Sequence, residues 1–428
     1  MDNSSLKFES KYTPRIYTPN EHCITTRKIS RGANKVMARL ISAGFQAFLV
    51  GGSVRDLLLE RNPIDFDVAT NATPTQISSI FRRSRLIGRR FKLVHVRENS
   101  ELIEVATFRK SPEHSHGVDK TRIIFRDNDF GRIEDDVVRR DYTVNALYLE
   151  YATLNIFDFV GGVQDLNNGV LRLIGDPEAR FGEDPVRVLR AVRFSESLNF
   201  KIAGFTDNQL KKYGARLRYI PPARLFVEMD KLFLRGFASR NFCRLRDLGL
   251  LSHLLPFEEC CQNPQLNSVR EDFLESALSS TDTRVMEGGS ATLGFLIAVF
   301  LWFPLKMQIE KLSKFENAPA EDLVSAEEFI LLTQIKKVAI PRRIIKSVRD
   351  IWALQRIFAK PSKRKADRII RHPRLRAAYN FFCLRVEAGE IPDDPIRWWS
   401  VFFQKSKKSG KLPFSSSLSY RLDRSRQQ

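Results

Sequence analysis

The 428-residue sequence has few of the residues that staple or metallate small proteins: it holds five cysteines and six histidines. Cys23, Cys243, Cys260, Cys261 and Cys383 are odd in number and fall at no metal-ligand spacing, which argues for reduced thiols and against a disulfide framework or zinc site. The histidines are scattered, which argues against a histidine-rich metal centre. Long apolar runs are missing too. The most apolar stretch, residues 293–303, is 11 uncharged residues followed by Pro304 and Lys306, too short to cross a bilayer, and reads as a buried core helix. Met1-Asp2-Asn3-Ser4 opens no signal peptide, so a cytoplasmic protein with no membrane span is expected. No fixed-period repeat is present, which excludes a solenoid.

What is there is apolar content and positive charge. Hydrophobic residues make up 43%, enough for ample cores in a chain of this length, and about two or three domains are expected. Lys+Arg number 70 against Asp+Glu 50, a net of +20, which suits a polyanionic partner such as nucleic acid. The charge is uneven: residues 341–428 hold 22 Lys/Arg and 7 Asp/Glu, a net of +15, which leaves +5 for everything before them.

Residues 1–21 are polar and lack apolar periodicity, so a flexible arm is expected there. A helix begins near Ile29 with Ser30 as N-cap and ends at Gly44. Residues 48–50 read as a buried strand, 54–59 as a helix and 65–68 as an alternating strand. Thr73-Pro74 opens another helix, with threonine as cap and proline at the first position. Further strands are expected at 102–108, 147–151 and 156–160. After Leu173 the strand signal fades and amphipathic helical patterns run to about residue 400. From Gln404 the sequence is Lys/Ser/Arg-rich, as a mobile basic tail would be.

Gly51-Gly52-Ser53 stands between a strand and a helix start. Glycines there let backbone N–H groups approach a phosphate, although a plain tight turn has the same sequence. Asp65-Phe66-Asp67 follows. On a strand, positions i and i+2 share a face, so the two carboxylates project together and Phe66 turns into the core. Two such carboxylates repel unless a cation lies between them, and hard Mg²⁺ prefers oxygen ligands. A two-metal site needs a third carboxylate. Glu104, the one acid in the strand Leu102-Ile103-Glu104-Val105, and Asp141, after Arg139-Arg140, are both candidates, and the spacing leaves both open.

Residues 48–67, reading Phe-Leu-Val-Gly-Gly-Ser-Val-Arg-Asp-Leu-Leu-Leu and then Asp-Phe-Asp, resemble the head of the polymerase-β-type nucleotidyltransferases, and more narrowly the bacterial CCA-adding enzyme and poly(A) polymerase branch. Residues 139–146 (Arg-Arg-Asp-Tyr-Thr-Val-Asn-Ala) resemble its ribose motif. Residues 161–172 resemble its hinge, and Glu183-Asp184-Pro185-Val186-Arg187 through Phe194 its base-reading motif. The likeness continues more weakly through residues 220–224.

The resemblance implies an α+β protein. A mixed or antiparallel-sheet nucleotidyltransferase head (22–172) precedes an all-α neck (173–256) and body (257–403), flanked by the arm (1–21) and the tail (404–428). It implies that Asp65 and Asp67 hold Mg²⁺ in a two-metal site, with Asp141 and Glu104 in the catalytic centre. Gly52, Ser53 and Arg55 would contact the triphosphate, and Arg139, Arg140 and Asp141 the ribose and catalytic centre, with Gly51 and Asn145 also in the nucleotide site. Glu183, Asp184, Arg187 and Arg190 would surround the base. The expected reaction is template-independent transfer of AMP from ATP to RNA 3′ ends by a monomer. CCA addition to tRNA from CTP and ATP is the alternative.

The residues themselves agree with the motif. Asp184-Pro185 reads as an N-cap and first-position pair, and Arg187, Arg190 and Arg193 then line one side of a helix. An arginine that donates to a ring nitrogen and a carboxylate that accepts from an exocyclic amine suit adenine and cytosine alike. Residues 86–96, with Gly88-Arg89-Arg90-Phe91, resemble the poly(A) branch, where CCA-adding relatives carry a shorter segment. No His-Asp dipeptide marks an appended phosphohydrolase. Arg342, Arg343, Lys346, Arg349, Lys363, Arg364, Lys365, Arg368 and Arg371 can neutralise RNA phosphates. Trp352, Tyr379, Phe381, Phe382, Trp398 and Trp399 interleave with them, as core residues or as base-stacking surfaces. Removal of residues 401–428 (net +6) is expected to weaken RNA binding.

Overall fold

In the first of the two compact units, Met1–Arg216, buried strands such as Ala47-Phe48-Leu49-Val50 send alternate side chains to opposite faces of one sheet, so each face needs its own cover. The computed structural model describes residues 13–88, 92–110, 129–256, 264–312 and 320–408. In chain order the unit contains β1 (Arg15–Tyr17), α1 (Arg31–Ser42), β2 (Ala47–Val50), α2 (Gly52–Leu58), β3 (Asp67–Thr70), α3 (Pro74–Ile80), β4 (Ser84–Ile87), β5 (Leu93–Glu98) and β6 (Glu101–Thr107). Then follow α4 (Ile133–Arg139), β7 (Leu147–Glu150), β8 (Ile156–Asp158), α5 (Gly162–Asn167), β9 (Val170–Arg172), α6 (Pro177–Glu183), α7 (Val186–Leu198), β10 (Lys201–Ala203) and α8 (Asp207–Gly214). Eight strands form one sheet in the order β1-β8-β7-β2-β3-β6-β5-β4, in which β3 and β6 are the parallel pair. This is the mixed, mainly antiparallel head of an α+β protein.

Leu49, Val68, Val105, Val94 and Val96 pack on one face beneath Val36, Met37 and Leu40 of α1 and Ile77 of α3. Phe48, Val50, Ala69, Tyr148 and Phe157 pack on the other with Phe108 and with Ile133 and Val137 of α4. The caps read from sequence are in place. The Ser30 hydroxyl accepts the Ala33 N–H at 3.1 Å. Thr73 and Gln76 form a reciprocal capping box, with Pro74 opening α3.

Three expectations change. The strand expected at 65–68 begins only at Asp67: β2 ends at Val50, opposite Asp67, and the next residue, Gly51, turns away with φ +75°, so residues 65 and 66 have no ladder partner there. Residues 15–17 of the expected loose arm form β1, antiparallel to β8. Within the stretch that resembles the poly(A) branch, residues 84–87 and 93–98 pair as antiparallel β4 and β5, and Arg89, Arg90 and Phe91 lie outside the described residues. The helix expected to start at Asp184-Pro185 starts at Val186, with Pro185 in the cap position. Asp184 closes α6, and its carboxylate accepts the Val186 N–H at 3.3 Å.

The second unit, Leu217–Gln428, is helical: α9 (Pro222–Phe233), α10 (Ala238–Asp247), α11 (Pro264–Met286), α12 (Leu293–Phe300), α13 (Trp302–Leu312), α14 (Ala320–Lys337), α15 (Arg342–Ala359), α16 (Lys363–Ile369), α17 (Leu375–Glu387) and α18 (Asp394–Lys408). Among the described residues no single helix is long and apolar enough to cross a membrane. Together α12 and α13 are, but a 42° bend separates them, and Leu293, Leu296, Ile297, Val299 and Phe303 are buried in this unit's core. Phe381 sits at the centre, with ring centroids 5.2 Å from Phe273 and 5.3 Å from Trp302.

The buried Glu390 side chain ties α13 to α17. It accepts from Trp302 Nε1 (2.9 Å), Lys306 Nζ (3.1 Å) and both Nε and Nη2 of Arg385 (3.0 Å each). Burial pushes its carboxyl up, but Arg385 and Lys306 outweigh that push, and the group lies below the usual carboxylate range. Trp352, Tyr379, Phe381, Phe382 and Trp399 are core residues, leaving Trp398 half-buried and stacked on Phe402 at 5.5 Å.

Candidate active site

The acid cluster forms because three strands come into register. Asp67, the first residue of β3, is directly opposite Glu104 on parallel β6, and Glu104 is opposite His95 on β5. All three alternate with residues of the helix-covered core, so they share the other face of the sheet. His95 Nε2 lies 3.1 Å from Glu104 Oε1. Asp65 is exposed just ahead of β3, and Phe66 between the two aspartates packs on the core. Among the described residues no group of three or more acids, cysteines or histidines is gathered closely enough to hold a metal ion. Asp65, Asp67 and Glu104 nonetheless bring carboxylate oxygens to this rim, the donor type that suits a hard divalent cation, with the His95 imidazole beside Glu104.

One strand away, Gly51 and Gly52 carry the chain from β2 into α2. A Cβ at Gly51 would sit 3.4 Å from Arg140 Nη1, and one at Gly52 3.5 Å from Arg55 Nη2. Ser53 is buried and its hydroxyl donates to the Val50 carbonyl at 2.9 Å. Arg55 is buried as well. Its Nε and Nη2 hold Asp56 (2.8 and 2.7 Å) and its Nη1 donates to Asn145 Oδ1 at 2.7 Å. Arg55 thereby fixes α2 to the segment after α4.

That segment links the sheet to the arginine helix α7. Buried Asp141 accepts the Tyr142 N–H (2.8 Å) and Asn145 Nδ2 (3.3 Å) through Oδ1, and its Oδ2 lies 3.1 Å from Arg190 Nη2. Burial pushes the Asp141 carboxyl up. Arg190, the Tyr142 amide, Asn145 and Arg187 reverse that push, so it lies below the usual range. The Tyr142 hydroxyl donates to the Arg187 carbonyl at 2.7 Å. Arg187 Nη1 donates to the Arg180 carbonyl (2.5 Å) and to Glu183 Oε2 (3.3 Å), which also takes Arg180 Nη1 at 2.6 Å. Burial and nearby Arg187 pull Arg180 down to about 10. Arg55, Arg190 and Arg193 all lie over the Phe194 ring, at 5.4, 5.9 and 4.1 Å. Arg139 is buried on the last turn of α4.

Thus Arg55, Asn145, Asp141, Arg187 and Arg190 are drawn into one network beside the glycine turn. Glu104 stands with Asp67, whereas Asp141 stands with α7. Two participants were not singled out from sequence. Phe194 is the ring the arginines share. Asp136 is a buried carboxylate that takes Arg109 Nε (2.9 Å), Arg140 Nε (3.1 Å) and the Tyr148 hydroxyl (2.6 Å). Burial drives its carboxyl up, but Arg109, Arg140 and Tyr148 hold it well below the usual range. The signal for it is the i, i+4 spacing of Asp136 and Arg140.

Comparison with known proteins adds three matches in chain order. Residues 47–172 match the "Poly A polymerase head domain", residues 199–260 the "Probable RNA and SrmB- binding site of polymerase A", and residues 316–427 the "Polymerase A arginine-rich C-terminus". Poly(A) polymerase I of Escherichia coli O157:H7 is 40% identical over 392 residues, covering 89% of this chain and 84% of that one. The chain belongs to the poly(A) polymerase family. It is therefore a nucleotidyltransferase. The relation of this poly(A) polymerase family member to a CCA-adding enzyme is narrower: that of Staphylococcus haemolyticus is 35% identical over 226 residues, 53% of this chain and 55% of the relative. The CCA-adding enzyme of Bacillus stearothermophilus, solved in complex with CTP, shares the fold, with a TM-score of 0.60 at 23% identity over 88% of this chain and 82% of that one.

Proposed function

We propose that the chain adds AMP to RNA 3′ ends without a template, acting as a cytoplasmic monomer. The observation that carries this reading is the extent of the two relationships: the likeness to poly(A) polymerase I runs through the arginine-rich end, whereas the likeness to CCA-adding enzymes covers about half the chain. In the reaction the RNA 3′ oxygen bonds to the α-phosphorus of ATP, the bond from that phosphorus to the bridging oxygen of pyrophosphate breaks, and the hydroxyl proton is released. Asp65 and Asp67, with Glu104 alongside, would hold Mg²⁺, which when bound favours the ionised 3′ oxygen and neutralises the phosphates.

The protein's own groups do the positioning. The Gly51–Gly52 turn lets backbone approach the triphosphate. Arg55, held by Asp56 and Asn145, keeps that turn and the ribose segment in fixed relation. Glu183 and Arg187, bonded to each other and to Arg180, present an acceptor and a donor suited to an amino group beside a ring nitrogen. Asp141 keeps Arg190 in place, so we assign it to base positioning and Glu104 to the metal rim.

Incubating the enzyme with an unstructured RNA and each of four nucleotides should give long tails with ATP alone. Growth that stops after C, C and A on tRNA lacking its 3′ end would instead assign CCA addition.

RNA would be held in part by the second unit, where Arg342, Lys346 and Arg349 form an exposed row on α15 and Arg364, Arg368 and Arg371 are exposed on and after α16. Truncation at residue 401 is a poor test of this charge, because it removes Phe403, buried 5.0 Å from Tyr379 and 5.5 Å from Trp399. Replacing Arg342, Lys346 and Arg349 together with serine should weaken RNA binding and reduce its logarithmic salt slope by about 2. The KM for ATP should stay put. An unchanged slope would remove α15 from the RNA surface.

A further inference from the structure

The helix-covered side of the head contains a cavity of about 330 Å³, lined by Lys35, Arg39, Arg82, Arg83, Arg97 and Glu98 among others. It lies between α1, the turn from α3 into β4, and the end of β5. Five cations therefore surround one carboxylate. Glu98 is buried, pairs with Lys35 and lies 3.9 Å from Arg39. Arg39 also donates to the Ile80 carbonyl and lies 4.6 Å over the Phe81 ring. These contacts fix two cations in the wall. Among the described residues the exposed side chains of Arg82, Arg83 and Arg97 make no ion pair or hydrogen bond, so their donors are available to an anion.

We propose that this cavity binds a phosphate-bearing anion, at a site separate from the nucleotide site. The separation follows from the two faces of the sheet: Phe81 and Val96 in the cavity wall belong to the core packed under α1 and α3, and Lys35 and Arg39 stand on α1, while Asp67, His95 and Glu104 share the opposite face; Arg97 lines the cavity from the exposed end of β5. The ligand is read through phosphate and not through a base. The aromatic ring present, Phe81, is 1% exposed and covered by Arg39, which leaves no face for stacking. Two sources supply that chemistry: the backbone of bound RNA and a free polyphosphate.

The test uses the full chain in EDTA, which strips divalent cations from the nucleotide site. Binding of inorganic tripolyphosphate and of a short oligo(A) RNA is measured for the wild type, for Arg82→Ser/Arg83→Ser/Arg97→Ser, and for the corresponding triple lysine variant. Thermal midpoints verify that all three are folded. Tripolyphosphate should bind about tenfold more weakly to the serine variant, with most of the loss recovered by lysine. A parallel drop in RNA affinity, with tripolyphosphate displacing RNA, identifies the RNA backbone as the source. A drop for tripolyphosphate alone identifies a free polyphosphate. Equal tripolyphosphate binding by wild type and serine variant overturns the site.

Discussion

Replacing Asp67 with alanine is expected to reduce AMP incorporation by about 10³-fold or more, with RNA affinity unchanged within about twofold. Asp67 opens β3 at the sheet rim, beside Glu104 and two residues after Asp65. Removing its carboxylate takes away an oxygen that would hold the catalytic cation but breaks no buried packing, because the side chain is at the half-buried end of the strand. Asp65→Ala should behave alike. The instructive comparison is between the two further carboxylates. Glu104→Gln should lower the rate of the chemical step without raising the KM for ATP. Asp141→Asn should instead loosen Arg190 and raise that KM. Single-turnover incorporation at saturating ATP separates the cases, and near-normal turnover by Asp67→Ala would sink the rim assignment.

The second large effect is on stability. Asp136→Asn leaves Arg109 and Arg140 facing a neutral group in a buried place, and should cost about 3 kcal/mol. The pH dependence carries the signature. Because the folded-state carboxyl lies well below its ordinary value, its contribution is complete above the unfolded-state value, near pH 4, and is lost as the pH falls towards the folded value. Asp141 is shifted in the same direction and adds to the same fall. The wild type should thus lose stability below about pH 5, and Asp136→Asn should lose less over that range. Thermal midpoints at pH 7 and pH 3 measure both effects. A variant with the wild-type midpoint at pH 7 would show that the buried cluster contributes little.

The parts legible in the sequence are those whose cause is local. Ser30 and Thr73-Pro74 mark helix starts because a cap needs only neighbouring amides. Arg187 and Arg190 could be placed on one helix side because three residues make nearly one turn. Parts that depend on distant partners were hidden. Arg15-Ile16-Tyr17 is a strand because β8 is beside it, and three residues carry too little alternation to reveal that. Asp136 sits in the acidic run Glu134-Asp135-Asp136, which looks solvated until Arg109 and Tyr148 come in from other strands and loops. That Glu104 stands beside Asp67, and Asp141 beside Arg190, needed sheet register and tertiary contact, which spacing alone does not give.

β1 has a consequence of a different kind. The sheet would otherwise end at β8, whose unpaired amides and buried Ile156 and Phe157 could template another chain. β1 closes that edge with three residues, its Arg15 guanidinium lying 4.6 Å over Tyr17. At the far edge β4 is four residues long and carries exposed Arg85. Both rims are thus too short and too charged to recruit another sheet. The head is guarded against aggregation by the segment that looked least structured.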